Sequence, residues 1–273
     1  MNKPKIVFSD IDGTLLNADR DLSEATISEI NAIKNNVPVI LVSARMPKQM
    51  RHLQAKLAIL EEPIIAYNGA LVLVDDKPIH SVEVPLEVIK YIVDYNNNNP
   101  KGKFHVSLYN NDEWYAPEYD YWAKREENNT KVAPEIKPNA DAIAKWDKEE
   151  KGAHKITCMG DADLIEEAFN HFKSKFENTL HLYRAKDTYI EIAPKEVSKL
   201  TGIKKLLDFK YTDFSLADVI AFGDNYNDAE MIGNVGFGIA VANARDEVKA
   251  VAKDITLHHK EDGVAVYLKQ IFS

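Results

Sequence analysis

The chain carries a series of short, continuously apolar runs, most of which end abruptly at polar residues. Lys5–Ser9 stops at Asp10 and Val37–Val42 stops at Ser43. Ile64–Ala66 precedes Asn68-Gly69, Asp218–Phe222 stops at Gly223-Asp224, and Val235–Ala240 ends near Asn243. Continuous rather than alternating hydrophobicity marks strands buried on both faces, as in a parallel sheet. Helical patterns lie between them. Ser23 is placed to cap a helix, with Leu22 and Ile27 as a hydrophobic staple and Ile27, Ile30 and Ile33 at helical spacing. Ser198 caps a second, whose apolar face is Leu200, Ile203, Leu206 and Leu207. Asn243, with Asp246 three residues on, opens a third. This alternation predicts an open α/β sheet with a three-layer, Rossmann-like build.

At 273 residues the chain exceeds the usual single-domain size, and its middle changes character. A helix is expected from Pro85 to Tyr95, then strands at Lys103–Leu108 and Glu113–Tyr115. The Pro- and charge-rich stretch Ala116–Glu150 receives no regular element. A strand at Lys155–Met159, a helix carrying Leu164, Ala168, Phe172 and Phe176, and a strand at Leu180–Arg184 follow. The segment 84–188 reads as an α+β domain inserted into a core formed by 1–83 and 189–273.

The net charge of −9 argues against a general nucleic-acid binder, which needs clustered Lys and Arg. A small anionic substrate stays open, because one lysine or a helix N-terminus can hold a phosphate within an acidic protein. Cys158 is the only cysteine, so an intrachain disulfide is impossible, and its flanks make it a small core hydrophobe. No apolar run reaches membrane-spanning length, and no signal-peptide core precedes Ile6-Val7-Phe8. A cytoplasmic enzyme or binding protein with no membrane partner is the expectation.

Two acidic clusters sit directly after strands. Asp10-Ile11-Asp12-Gly13-Thr14 places two carboxylates one residue apart before a turn glycine. One can face substrate and metal while the other acts as acid or base. Alone, the fragment also suits a solvated turn or a calcium loop. Gly223-Asp224-Asn225-Tyr226-Asn227-Asp228 is a plausible magnesium half-site, or a loop capping the next helix. Two such strand ends in one α/β sheet weigh against the bland readings, because open α/β folds bind ligands there. Ser43 ends its own strand, and Lys199 lies in a first helical turn where acids are normally preferred.

Together these residues resemble, in order, the four motifs of the haloacid dehalogenase superfamily, and their flanks resemble its Cof-type, class IIB phosphatases. Phe8–Leu16 matches the first motif, Ser43 with Arg45 the second, Lys199 the third and Gly223–Asp228 the fourth. The tail, Asn243-Ala244 through Glu261–Ala265, is also similar. The resemblance implies that Asp10 becomes an aspartyl-phosphate and that Asp12 protonates the leaving group and then activates water. It implies Mg2+ held by Asp10, the main-chain carbonyl of Asp12, and Asp224. Ser43, Lys199, Asn227 and Arg45 would bind the substrate, and Asp228 would support Lys199 or a metal-bound water. The insert would be a cap closing over the strand ends, and the partner a small phosphorylated metabolite. Ala44 and Leu200 stand where the family usually has Gly. A phosphomutase shares the chemistry; a phosphoreceiver domain shares the acidic strand ends but needs neither Asp12 nor an inserted domain.

Other features point to structure. Gly233, Gly236 and Gly238 run in the wrong order for a dinucleotide fingerprint. His258-His259 lack further zinc ligands. Trp114, Tyr115, Tyr119, Tyr121 and Trp122 read as inserted-domain core in preference to a surface that meets a sugar ring.

Overall fold

The structure, a computed structural model, describes residues 3–273. The chain divides into two compact units, Met1–His80 with Ser198–Ser273, and Ser81–Val197. The sequence placed the edges at 83/84 and 188/189. The later edge moves because Tyr189–Pro194 pairs antiparallel with Leu180–Lys186 on one side and Lys155–Met159 on the other. Its hydrogen bonds therefore belong to the inserted unit.

The first unit is built on a sheet in the order Asp254–Ile255, Phe237–Ala240, Val219–Gly223, Ile6–Ser9, Val39–Val42, Ile64–Ala66, Leu71–Val74 and Lys77–Ser81. Pairing is parallel from Asp254–Ile255 through Ile64–Ala66, and turns antiparallel at Leu71–Val74. Ile6–Ser9 and Val219–Gly223 are buried at every position, as their unbroken apolar runs require. The flanking helices form two packed groups: Glu24–Ile33 with Lys48–Leu57 and Gly263–Phe272, and Lys199–Lys210 with Ala229–Asn234 and Asp246–Val251. Strand order runs outward in both directions from the Ile6–Ser9/Val219–Gly223 pair, and right-handed crossovers then send connections to opposite faces. The strand C-termini at this reversal form a crevice of the kind that binds ligands in such sheets.

The predicted cap at Ser23 is present, its Oγ accepting from Thr26 N at 3.0 Å. The helix assigned to Asn243 starts later, at Asp246, with Arg245 as its flanking residue. The Asn243 side chain is used elsewhere: Nδ2 donates to the Gly13 carbonyl at 2.8 Å, and Oδ1 accepts from His259 N at 3.0 Å.

The inserted unit has a sheet in the order Leu180–Lys186, Tyr189–Pro194, Lys155–Met159, His105–Asn110, Glu113–Ala116 and Glu135–Ile136. Apolar and polar residue types alternate along its central strands, although His105–Asn110 and Lys155–Met159 are buried throughout. Val106, Leu108, Ile156, Cys158, Ile190 and Ile192 join the buried cluster formed with the flanking helices. The unassigned stretch 116–150 contains two helices, Tyr121–Thr130 and Asn139–Lys148. Asp120 starts the first, its Oδ1 accepting from Trp122 N and Ala123 N at 2.9 Å each. Of the five aromatics expected in the core, Trp114 and Tyr115 are buried, whereas Tyr119 and Tyr121 are exposed.

Candidate active site

Asp10 leaves the end of the Ile6–Ser9 strand with its backbone N–H donating to the Phe222 carbonyl at 3.0 Å. That bond continues the parallel register, in which Ser9 faces Phe222, and brings Asp10 beside Gly223-Asp224. Lys199 is the first residue of its helix, held there by the Ser198–Thr201 capping box. It is 1% exposed, and its Nζ donates to Asp10 Oδ1 and Asp228 Oδ1, each at 2.5 Å. A lysine at a helix N-terminus opposes the dipole; two carboxylates compensate. Asp228 turns its other oxygen to Asp224 N at 3.0 Å and Asn225 N at 2.9 Å, which fixes the loop.

Asp10, Asp224 and Asp228 each offer an oxygen within 4.8 Å of the others. Their approach depends on Gly13, at φ +87°, where a Cβ would lie 2.5 Å from an Asp224 oxygen. Thr14 Oγ1 donates to Asp224 Oδ1 at 3.0 Å. Burial pushes the Asp10 carboxyl well above its ordinary range; Lys199 opposes this, while the charges of Asp228 and Asp224 add to it. Asp224 is pushed to about 6, first by burial and then by Asp228, with Thr14 and Lys199 opposing. Burial would lower the Lys199 pKa, but Asp10 and Asp228 outweigh it and keep the ammonium protonated.

Three carboxylates around one ammonium leave two negative charges unbalanced when all are ionised. Such a buried set is costly alone and fits a hard divalent cation, which takes oxygen ligands.

Asp12 stands apart from this cluster. Its carboxylate receives Arg45 Nε on Oδ2 at 2.7 Å and Arg45 Nη2 on Oδ1 at 2.8 Å, and Arg20 adds a contact at 3.2 Å. Burial would raise its pKa, but the hydrogen bonds and charge of Arg45, with those of Arg20, hold it below the ordinary carboxylate range. The Arg45 guanidinium, expected to bind substrate, is thus committed to Asp12. Ser43 Oγ accepts from Arg45 N at 3.2 Å. Asn227 Nδ2 donates to Asn68 Oδ1 at 2.9 Å, and Asn68 N donates to the Ser43 carbonyl at 2.9 Å. Ser43 and Asn227 are therefore linked through Asn68, which follows the apolar run Ile64–Ala66. Thr14 and Asn243 were also missed in these roles; the only signal was their place in the matched stretches. Leu200 is buried, so packing accounts for its presence.

A chain of polar groups in the inserted unit resembles a catalytic triad: Asp120 Oδ2 to His105 Nδ1 at 2.9 Å, and His105 Nε2 to Ser107 Oγ at 2.7 Å. Ser107 is wholly buried and its Oγ also accepts from Trp114 Nε1 at 3.1 Å. It lacks the access a nucleophile needs, and the chain fastens the sheet to the Asp120 cap.

The family model for haloacid dehalogenase-like hydrolases matches residues 7–268. A Haemophilus influenzae relative is 32% identical over 271 residues, covering 98% of each chain. The 5-amino-6-(5-phospho-D-ribitylamino)uracil phosphatase YitU of Bacillus subtilis is 28% identical, covering 99% of this chain and 98% of its own. The crystal structure of a haloacid dehalogenase-like hydrolase from Bacteroides thetaiotaomicron superposes with a TM-score of 0.89 at 24% identity, covering 99% of this chain and all of that one. A subclass IIB sugar phosphatase, BT4131, superposes with a TM-score of 0.80 at 22% identity, covering 98% of this chain and 99% of its own. The match along nearly the whole chain and the agreement in fold place the protein in the haloacid dehalogenase-like hydrolase family, as a phosphatase.

Proposed function

We propose that the protein hydrolyses small phosphate monoesters, sugar phosphates or metabolites of similar size, with Mg2+ and through an aspartyl-phosphate on Asp10. The observation that carries this reading is the cluster of buried Asp10, Lys199 and Asp228 with half-buried Asp224, at the ends of adjacent parallel strands. Relatives named for phosphorylated small molecules, and a fold shared with a sugar phosphatase, support the substrate class.

In the proposed reaction an Asp10 oxygen attacks phosphorus and the P–O bond to the leaving group breaks. Asp12, which Arg45 and Arg20 hold ionised in the free protein, takes up a proton once the substrate is bound and gives it to the departing oxygen. Water then attacks the phosphoryl group, Asp12 takes a proton from it, and Asp10 is regenerated as phosphate leaves. Lys199 neutralises Asp10 and Asp228 and is placed to meet phosphoryl oxygens, with Ser43 and Asn227 as further donors. Asp10, Asp224 and the Asp12 carbonyl would hold the metal, with Asp228 fixing the Asp224 loop. When bound, Mg2+ supplies charge neutralisation that lets an anionic nucleophile approach a phosphate. Chemistry of this kind rests chiefly on positioning and electrostatics. A cytoplasmic setting is part of the proposal and rests on the single buried cysteine.

The test is release of inorganic phosphate from sugar phosphates, nucleotides and p-nitrophenyl phosphate, with Mg2+ and with chelator. Metal-dependent release supports hydrolysis and ranks the esters. Isomerised sugar phosphate without free phosphate would identify a mutase instead.

A further inference from the structure

We infer that Arg45, seconded by Arg20, is a positioning residue for Asp12: the guanidinium fork fixes where the Asp12 carboxyl points for proton transfer, rather than gripping the substrate phosphoryl group. The inference rests on the phosphatase reading above. Its ground is how fully Arg45 is built into the protein. The side chain is 6% exposed, against 38% for Asp12, so the arginine is the fixed member of the pair. Its backbone is pinned at both ends, N–H to Ser43 Oγ at 3.2 Å and carbonyl from Tyr67 N at 3.1 Å. Nη1 donates to the Gln49 carbonyl at 3.3 Å, while Nε and Nη2 take both oxygens of Asp12. Gln49 is itself held, its Oε1 accepting from Met46 N at 3.2 Å. A planar fork matched to both carboxylate oxygens fixes direction as well as distance, which a lysine cannot do. Arg20 approaches Asp12 Oδ1 from the segment after the first strand, with half of its side chain exposed. The carboxylate is therefore held from two separate segments.

A phosphate-gripping arginine would have donors aimed at the ligand. Here the three guanidinium nitrogens each donate within the protein, and the Nε–Nη2 edge could grip a phosphate only by abandoning Asp12. Orientation of an acid matters most where the leaving oxygen needs its proton, as with an alkyl ester; p-nitrophenolate departs readily without one. The two roles therefore separate in kinetics.

Arg45→Lys and Arg20→Ala are assayed on a sugar phosphate and on p-nitrophenyl phosphate, with inhibition by inorganic phosphate as the binding readout. Both variants are repeated in an Asp12→Ala background, and folding is checked by thermal unfolding. For Arg45→Lys the expected result is a roughly 10–100-fold lower kcat on the sugar phosphate. The loss on p-nitrophenyl phosphate should be much smaller, with KM and phosphate inhibition nearly unchanged. Arg20→Ala, at an exposed position, should show the same pattern more weakly, and serves alone if Arg45→Lys fails to fold. In the Asp12→Ala background neither substitution should cost anything further, because residues acting as one unit are not additive. A raised KM and weakened phosphate inhibition with kcat preserved would overturn the inference, as would full additivity with Asp12→Ala. Retained activity in Asp10→Asn would instead defeat the underlying mechanism, so the two failures are distinguishable.

Discussion

The two units each bury carboxylates among polar partners, with opposite results. In the first, Asp10 and Asp228 share a single ammonium, Lys199, with Asp224 beside them, and the Asp10 and Asp224 carboxyls are driven up. In the inserted unit one carboxylate, Glu113, has several donors. Lys145 Nζ is at 2.8 Å, Trp146 Nε1 at 2.6 Å, Tyr115 Oη at 3.1 Å and Lys151 Nζ at 3.5 Å. Burial would raise its pKa, but the bonds from Lys145, Trp146 and Tyr115, with the charge of Lys151, outweigh it and hold Glu113 at about 2. One residue type is thus deprived of counter-charge in one place and surrounded by it in the other. The surplus of donors ties the strand Glu113–Ala116 to the helix Asn139–Lys148. The deficit stabilises nothing by itself, and a bound cation would satisfy it. A folded protein retains such a cost where function requires it.

The largest expected separation comes from Asp224→Asn. Removing an unbalanced buried charge should leave metal-free stability equal or higher, while the thermal shift produced by Mg2+ disappears. At about 100 times Kd that shift is worth about 2.7 kcal/mol in the wild type, and activity should fall by roughly 100-fold or more. Calorimetry with and without Mg2+ checks this, and an undiminished shift would break the contrast.

Glu113→Gln should do the reverse, costing about 2 kcal/mol of stability once partial exposure is allowed for, with the Mg2+ shift intact. Denaturant unfolding measures the cost. A loss of the Mg2+ response in this variant would erase the distinction between the clusters.

The smallest effect is on pH dependence. Between 3.8 and about 6 the folded, metal-free protein holds a proton on Asp224 that the unfolded chain has released, so stability falls as pH rises through that window. Mg2+ should flatten this slope. Glu113 acts with opposite sign: its contribution is complete above 4.5 and is lost as pH falls from 4.5 towards about 2. Unfolding measured across pH, with and without Mg2+ and in Glu113→Gln, separates the two slopes. A metal-independent slope near pH 5 would contradict the assignment to the first unit's cluster.

The sheet of the first unit was legible because strands buried on both faces write themselves as unbroken apolar runs, and because polarity returns where the chain leaves the sheet at Asp10, Ser43 and Asp224. The stretch 116–150 was not legible. The helix Tyr121–Thr130 buries only Ala123 and Thr130, so no apolar stripe announces it, and its start depends on Asp120 bonding backbone across a turn. The edge at 189 moved because Tyr189–Pro194, to which the sequence reading gave no element, pairs within the inserted unit's sheet. Within the site, residue types were legible and pairings were not. Arg45 pairs with a residue 33 positions away and Asn243 with Gly13, 230 positions away, neither of which leaves a local pattern.

The most direct measurement is the identity of the phosphorylated residue. The enzyme is quenched in acid during turnover of an ester, reduced with tritiated borohydride, which expels the phosphate and leaves a labelled alcohol at the acylated residue, and digested with trypsin. The expected result is modification of Asp10 within the peptide Ile6–Arg20, absent from Asp10→Asn, which should also have lost turnover. Label on another residue, or turnover persisting in Asp10→Asn, would contradict the assignment of Asp10 as nucleophile.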